Sequence, residues 1–475
     1  MTLKREPKKE VVQARLHKLI QKYPLFAATI SKRKGWRGGT LHWNAGDSSL
    51  EAAKGCISYV DSLDCGEGEP SSALRAYLMD KITNLPTDFT DGGFRLLVVT
   101  YAGRERCDMV WIIHHAIGDG ILLLRVLVDQ CDEEERCQGL LDGSEKKTHN
   151  EEERRRSEKK THLDILLAIF VAIRSFWKVV SLLFVRQDKQ TKLKAPRDFK
   201  LLSPRKGYHS TSPWPVEDLK AAGRPFNASL NDVLMAVLSA AIRKYLLHVQ
   251  CPVVEANEDL TITNLSIFNT RAMSDMDGLL QDFQKAKTTN DVSFVISTMP
   301  VGNMSIIERV KACSKEMTNL KRSPEALIVR LANELLKRVL GDRFVSYFTS
   351  DNIMVKFHTI FSNLRGPPRK LKFCGEVIET LSNFVHPSSC GFVFSSMSYN
   401  GKLVTNMSYD SDIVKEPELF VKFADDAFRE VCEAAAEMER TREAGSVVPD
   451  LDGDVPSLVK EDIQCTIRQR YSIVG

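Results

Sequence analysis

The stretch that most constrains the fold is His114–Gly120, which reads HHAIGDG. An apolar run, Met109–Ile113, precedes it and is typical of a buried strand, while Ile121–Leu127 has the pattern of a helix start. We therefore expect a strand that delivers two histidines to a tight turn at the mouth of a cleft. A histidine placed there can take a proton from a hydroxyl group near neutral pH.

Two other interpretations of the histidine pair are open. The histidines could be strand-end residues whose ring nitrogens are satisfied by backbone groups. A metal site is disfavoured, because successive side chains of a strand point to opposite faces of the sheet. We therefore expect one of His114 and His115 to face the reacting centre, and we expect no metal.

Composition indicates a folded protein with more than one core. A chain of 475 residues with 43% hydrophobic and 27% charged residues fits two globular domains. The net charge of +4 does not indicate nucleic acid. The 11 cysteines form no CxxC pair, and the charged start of the chain lacks the apolar core of a secretory signal, so we expect reduced thiols facing the cytosol.

A change of composition divides the chain. Asp132–Lys160 is strongly charged and nearly free of large apolar side chains, which is typical of a flexible linker or a solvated helix. We expect a first half over 1–131, a charged linker with an apolar helix over 132–200, a second half over 201–440 and a loosely ordered tail over 441–475.

The apolar segment Leu163–Val185 is long enough to cross a bilayer, which needs about 20 apolar residues. However, Arg174 and Lys178 lie one helical turn apart within it. A charge at the bilayer centre costs about 2.5–3.5 kcal/mol, and a helix in the membrane surface avoids this cost. We therefore favour docking to a membrane surface, with a true span and a buried core helix as the alternatives.

Two local signals organise the second half. Ser229–Asp232 predicts the start of a helix that runs to about His248, with Ser229 and Asp232 as a capping box that leaves Asn231 without a capping role. Asn400-Gly401 joins two strand-like runs and predicts a tight hairpin.

These motifs, taken in order, resemble the wax ester synthase/diacylglycerol acyltransferase family of the coenzyme A-dependent acyltransferase superfamily, whose signature is HHxxxDG. The resemblance extends from about Arg15 to Glu437, with gaps. It rests on His114–Gly120 and on Asn231–Leu246, Asn290–Phe294, Met299–Gly302, Phe361–Pro367 and Ser398–Leu403.

The resemblance implies an α/β chain with the two-domain chloramphenicol acetyltransferase-like fold, in which mixed sheets are flanked by helices and the active-site channel lies between the domains. Members transfer a fatty acyl group from acyl-coenzyme A to a long-chain alcohol or to diacylglycerol, giving wax ester or triacylglycerol. Acyl-coenzyme A is then a co-substrate, and no permanently bound cofactor is expected.

The family also implies roles for individual residues. His115 is the general base, and Asp119 holds the turn and orients the imidazole. Supporting positions of the motif are His114, Gly118 and Gly120, and the expected substrate-binding residues are Asn231, Asp232, Ser362 and Asn363.

The chain departs from the family pattern in its first half. Members usually carry more chain before the first helix, and their Pro-Leu-Trp segment is represented here by Asp91–Arg95. We expect a divergent or shortened first half, which leaves two alternatives open: a catalytically impaired lipid-binding membrane protein, or an acyltransferase for a smaller polar acceptor. We expect the chain on the cytosolic face of the endoplasmic reticulum or plasma membrane.

Overall fold

The computed structural model describes residues 1–33, 40–81, 92–132, 173, 177, 188–196, 202–269, 292–341, 356–387 and 390–446. Its helices are α1 (Lys9–Lys22), α2 (Leu50–Gly55), α3 (Pro70–Lys81), α4 (Gly120–Asp129), α5 (Val216–Gly223), α6 (Leu230–His248), α7 (Pro252–Glu255), α8 (Ile306–Arg322), α9 (Glu325–Leu340) and α10 (Pro417–Ser446). Short 3-10 helices cover Pro24–Phe26 and Arg224–Phe226.

The strands lie before and between these helices, singly or in runs of up to five. They are β1 (Thr2–Leu3), β2 (Thr29–Arg33), β3 (Thr40–Asn44), β4 (Ile57–Leu63), β5 (Phe94–Tyr101), β6 (Arg104–Ile113), β7 (Lys206–Ser210), β8 (Trp214–Pro215), β9 (Thr261–Asn269), β10 (Val292–Pro300), β11 (Thr359–Arg365), β12 (Lys372–Phe373), β13 (Glu376–Thr380), β14 (Phe392–Tyr399) and β15 (Lys402–Asp410).

The first sheet has six strands in the order β12-β13-β1-β6-β5-β4. Its centre is the antiparallel pair of β5 and β6, and β4 pairs in parallel with β5. Helix α1 buries an apolar face at helical spacing, and it packs with α4 on one face of this sheet. Leu78 of α3 packs on the opposite face.

The second sheet follows the order β10-β9-β11-β14-β15-β7, with β8 paired to β15. It is mixed, because β11 is parallel to β9 and β14 while the other pairs are antiparallel. Helices α5, α6, α8 and α10 cover one face and form the largest buried cluster with it. The opposite face turns toward the first sheet and lines a cavity.

One strand pair crosses between the halves. Strands β12 and β13 lie within the range assigned to the second half from the sequence, yet they complete the first sheet. Leu3 of β1 is paired with Ile378 of β13 and with Cys107 of β6, so β1 lies between segments that are far apart in the chain. The two sheets are thereby tied together by the backbone itself.

Both local predictions for the second half are confirmed. Ser229 and Asp232 form a capping box at the start of α6, in which the Ser229 N–H donates to Asp232 Oδ2 over 2.8 Å. Asn400 and Gly401 have φ of 49° and 72° and connect β14 to β15. Two successive residues with positive φ are typical of the type I′ hairpin turn.

A buried polar cluster anchors residues 188–196 to the second sheet. Asp188 Oδ2 lies 2.8 Å from His358 Nδ1, and Thr191 Oγ1 lies 3.1 Å from His358 Nε2. Asp188 also accepts a hydrogen bond from the Thr263 N–H of β9. Burial lowers the pKa of His358, and Asp188 offsets only part of that effect. The neutral ring therefore donates to Asp188 and accepts from Thr191.

The apolar segment Leu163–Val185 lies outside the described residues apart from Ile173 and Trp177, which are helical and 53% and 63% exposed. In the described part of the chain, no single helix has the length and apolarity to cross a bilayer. A pair bent by 94°, Val216–Phe226 with Leu230–His248, meets those criteria jointly. Most of the second member, α6, is buried in the core of the second half.

Candidate active site

A cavity of about 1720 Å³ lies between the two sheets. Its walls combine β6 and the start of α4 from the first half with β9, β10 and β11 from the second. Many of the lining side chains are apolar, including Phe94, Trp111, Leu124, Ile267 and Phe294. The HHxxxDG motif and the Ser362-Asn363 stretch, which are more than 240 residues apart in sequence, face this one space.

Both histidines of the motif line the cavity. The expectation that only one would do so assumed that they lie on a strand. Strand β6 ends at Ile113, and a turn follows, so strict alternation of side chains no longer applies. The turn brings His114 and His115 to the same space.

The two imidazoles nevertheless have different environments. The Ala116 N–H donates to His114 Nδ1 over 3.0 Å, and the His114 N–H donates to the Gly93 carbonyl over 2.7 Å. Burial lowers the pKa of His114, and the neighbouring His115 acts in the same direction. His114 is therefore a neutral ring whose Nδ1 is engaged in the turn.

His115 is the more accessible of the two histidines. It is exposed, whereas His114 is half-buried, and it borders the cavity. A general base must reach the proton that it removes. Accessibility and the engagement of His114 Nδ1 both favour His115 for that role.

Asp119 acts as the N-cap of α4. It is 1% exposed, and its Oδ1 accepts a hydrogen bond from the Leu122 N–H over 3.1 Å. A carboxylate at this position also interacts favourably with the positive end of the helix dipole. This geometry accounts for the expected role of Asp119 in holding the turn, and the adjacent Gly118 is buried with it.

Gly120 marks a close approach between the two halves. A Cβ atom placed on Gly120 would lie 2.9 Å from Leu364 Cδ1 of β11. A side chain at position 120 would thus push Leu364 away from the start of α4. The HHxxxDG turn and the Ser-Asn-Leu stretch of β11 are packed directly against each other.

The four expected substrate-binding residues divide into two pairs. Ser362 and Asn363 line the cavity, whereas Asn231 and Asp232 are not among the lining residues. Asn363 Nδ2 donates to Asn231 Oδ1 over 2.6 Å, so Asn231 reaches the cavity through Asn363. Asp232 is 2% exposed and serves the capping box of α6.

Sequence patterns gave no signal for residues 381–386, which also line the cavity. The Asn383 carbonyl accepts hydrogen bonds from Ser395 Oγ and from Asn406 Nδ2, each over 2.8 Å. Within the described residues, Oδ1 of Asn383 and Oδ1 of Asn363 are buried and have no hydrogen-bond partner. Each is a polar atom at the cavity wall whose hydrogen-bonding capacity is unfilled by those residues.

Comparison with known proteins shows a consistent similarity. Residues 288–431 match the model of the WS/DGAT C-terminal domain. Wax ester synthase/diacylglycerol acyltransferase 7 of Arabidopsis thaliana is 22% identical over 447 residues, which cover 88% of each chain. The chain is thus similar to the wax ester synthase/diacylglycerol acyltransferases over most of its length, and its residues 288–431 match their C-terminal domain.

Solved structures confirm the fold class. The wax ester synthase/diacylglycerol acyltransferase from Marinobacter aquaeolei VT8 superposes with a TM-score of 0.56 at 13% identity, over 92% of this chain and 93% of that one. The starter condensation domain of rhizomide synthetase, solved with C8-CoA and Leu-SNAC, gives 0.53 at 13% identity, over 92% and 88%. The family fold of two halves with mixed sheets, flanking helices and a channel between them is the fold observed here.

Proposed function

We propose that this chain is an O-acyltransferase that moves a fatty acyl group from acyl-coenzyme A to a long-chain alcohol or diacylglycerol. The observation that carries the proposal is the accessible His115 at the wall of a large, mainly apolar cavity between the halves. Similarity to wax ester synthase/diacylglycerol acyltransferases supports acyl transfer. The structural relative solved with C8-CoA supports acyl-coenzyme A as the donor.

The proposed reaction is a single acyl transfer. His115 removes the proton of the acceptor hydroxyl, whose oxygen attacks the thioester carbonyl carbon. The tetrahedral intermediate then collapses, the carbon–sulfur bond breaks, and the imidazolium returns its proton to the departing thiolate of coenzyme A. A thioester is already activated, so neither a protein nucleophile nor a permanently bound cofactor is required. A base in position contributes about 10²–10⁴-fold to the rate.

The polar groups of the cavity wall have two roles in this proposal. Asn363 lines the cavity, and its side chain would contact a bound substrate there. Asn231 holds the Asn363 side chain through their hydrogen bond and acts as a positioning residue. We propose no contact between Asp232 and substrate, since Asp232 does not line the cavity and its Oδ2 accepts the Ser229 N–H at the helix start.

Both proposed acceptors are lipids, so they also indicate where in the cell the protein would act. Acyl-coenzyme A is a cytosolic donor, while a long-chain alcohol or diacylglycerol resides in a membrane. We therefore propose action at the cytosolic face of the endoplasmic reticulum or plasma membrane. The described residues Ile173 and Trp177 of the segment Leu163–Val185 are exposed, which agrees with contact between that segment and the membrane surface.

One assay tests the proposal. Purified protein is incubated with labelled palmitoyl-coenzyme A and with hexadecanol, diacylglycerol or a small polar alcohol, and the products are resolved. We expect labelled wax ester, triacylglycerol or both, in amounts that increase with the concentration of enzyme. Product from the polar alcohol alone would identify a different acceptor class, and absence of any product while labelled substrate binds would favour a lipid-binding protein.

A further inference from the structure

Helix α9 leaves an apolar stripe uncovered. Leu331, Leu335 and Val339 are 59%, 62% and 59% exposed. They are four residues apart, so they lie on one face of the helix over its last three turns. Leu336 and Leu340 extend the exposed apolar surface, each at 43%.

The stripe is a concentration of exposed apolar side chains. Eleven large apolar side chains are exposed in the described part of the chain, and five of them are on α9. Single exposed apolar residues are normal on a protein surface, but a contiguous patch marks a surface that contacts something else. This face of α9 therefore has the character of a contact surface.

The charges of α9 favour an anionic lipid surface. The helix carries Arg330, Lys337 and Arg338 against Glu325 and Glu334. Arg330 and Arg338 are exposed, whereas Glu325 is 3% exposed. An apolar stripe with exposed basic residues beside it is typical of a helix that lies in a membrane interface, and each basic residue is attracted to anionic headgroups.

The place of α9 in the fold fits this partner. The helix packs on β10, the edge strand of the second sheet. Phe294 of the same strand lines the cavity. A lipid surface at α9 would therefore lie one strand away from an apolar wall of the proposed substrate cavity.

We propose that α9 is an in-plane docking helix that binds an anionic lipid surface through its apolar stripe, with Arg330 and Arg338 toward the headgroups. This surface is separate in sequence from Leu163–Val185. The choice of partner rests on the proposed function, since lipid substrates bring the protein to a membrane. Binding to vesicles needs no catalysis, so the two proposals can fail independently.

The test is cosedimentation of the full chain with phosphatidylcholine vesicles, with and without phosphatidylserine. We expect the triple variant Leu331→Gln/Leu335→Gln/Val339→Gln to bind at least about tenfold more weakly than the wild type, because three apolar groups no longer enter the interface. Glutamine is used because it adds no charge.

A matched control distinguishes loss of the α9 stripe from the effect of three added polar side chains elsewhere on the surface. Val11, Leu50 and Leu247 are 40%, 41% and 39% exposed on three other helices. The variant Val11→Gln/Leu50→Gln/Leu247→Gln makes the same chemical change and should bind vesicles like the wild type. Equal losses in the two triple variants would overturn the proposal, as would unchanged binding in the α9 variant.

The arginines are tested by Arg330→Gln/Arg338→Gln. We expect this variant to lose most of the preference for vesicles with phosphatidylserine and most of the salt sensitivity of binding. Size-exclusion chromatography gives a further outcome. If the wild type is an oligomer and the α9 triple variant is a monomer with unchanged vesicle binding, the stripe is an interface between copies, and the proposal is wrong.

Acyl transfer in detergent distinguishes this inference from the proposed function. If the enzyme is active and the α9 triple variant binds vesicles like the wild type, only the docking role of α9 is contradicted. A chain that binds vesicles through α9 but forms no ester would contradict the proposed activity alone.

Discussion

Asn363 Nδ2 donates to Asn231 Oδ1 over 2.6 Å, which joins β11 to the first turn of α6. The two residues were expected to play the same part, as polar groups lining the substrate channel. The structure places Asn363 at the cavity and Asn231 behind it. Their effects on catalysis should therefore depend on each other.

A double-mutant cycle tests this dependence. We expect Asn231→Ala and Asn363→Ala each to lower kcat/KM. The fold-decrease in the double variant should be smaller than the product of the two single fold-decreases. The coupling should be about 0.5–1.5 kcal/mol, the net value of one neutral hydrogen bond. Asn231→Asp keeps an acceptor oxygen toward Asn363 and should retain more activity than Asn231→Ala. Strict additivity would contradict a positioning role for Asn231.

Substitution of the proposed base separates chemistry from folding. His115→Ala should lower kcat by about 10²–10⁴-fold, with little change in the free energy of unfolding because the side chain is exposed. The matched variant is His114→Ala, which removes the acceptor of the Ala116 N–H and should lower stability by about 0.5–1.5 kcal/mol. Steady-state kinetics and urea unfolding give both values. Activity of His115→Ala within tenfold of the wild type would rule out the assignment.

Two substitutions at Asp119 test its role as a helix cap. Asp119→Ala should cost about 0.5–2 kcal/mol of stability, because the Leu122 N–H loses its acceptor. Asp119→Asn retains an N-cap acceptor and should stay close to the wild type in stability and activity. If urea unfolding shows a normal stability for Asp119→Asn but the assay shows activity as low as that of the alanine variant, the charge itself is required.

Two glycines should respond differently to alanine. A Cβ on Gly366 would lie 2.2 Å from the backbone oxygen of Ser398, whereas a Cβ on Gly120 would lie 2.9 Å from the mobile end of Leu364. Gly366→Ala should lower the free energy of unfolding by about 1–3 kcal/mol, and Gly120→Ala by less. Leu364→Ala in the Gly120→Ala background should recover part of the loss. The opposite ranking in urea unfolding would contradict this account of the turn.

The buried pair of His358 and Asp188 predicts a pH dependence of stability. Burial lowers the pKa of His358 from its ordinary value of 6.5. The unfolded chain therefore binds a proton at a higher pH than the folded chain does. The contribution to stability is fully present above about pH 6.5 and is lost as the pH falls toward the lower pKa of the folded state.

The corresponding measurement is urea unfolding of the wild type and of His358→Asn over the acid range below about pH 6.5. The wild-type free energy of unfolding should fall with decreasing pH by up to about 1.4 kcal/mol per pH unit from this residue. His114, His209 and His386 also have lowered pKa values and remain in the variant. The slope should therefore be smaller in His358→Asn without vanishing, and equal slopes would contradict the assignment.

The features that the sequence predicted correctly depend on short-range chemistry. A few adjacent residues specify each of them: strand β6 and helix α4 around the HHxxxDG turn, the capping box of α6, and the Asn400-Gly401 hairpin. Ser362 and Asn363 were placed at the cavity correctly because the resemblance to the family supplied the long-range information that local patterns lack.

The features that the sequence did not predict depend on distant contacts. Nothing near Asn383 indicates that its loop borders the cavity, because its position follows from hydrogen bonds to Ser395 and Asn406. The contact of Asp188 with His358 joins residues 170 positions apart. The exposure of the apolar face of α9 likewise depends on what packs against the helix, which local sequence does not determine.

The pairing of Leu3 with Ile378 has a consequence for synthesis on the ribosome. The first sheet cannot acquire its full set of strands until residues near 380 have left the exit tunnel. At about 5–20 residues per second, the amino-terminal segment must wait tens of seconds for its partner strand. Nascent chains of intermediate length therefore carry an unfilled sheet edge, and they are the species on which we expect chaperones to act.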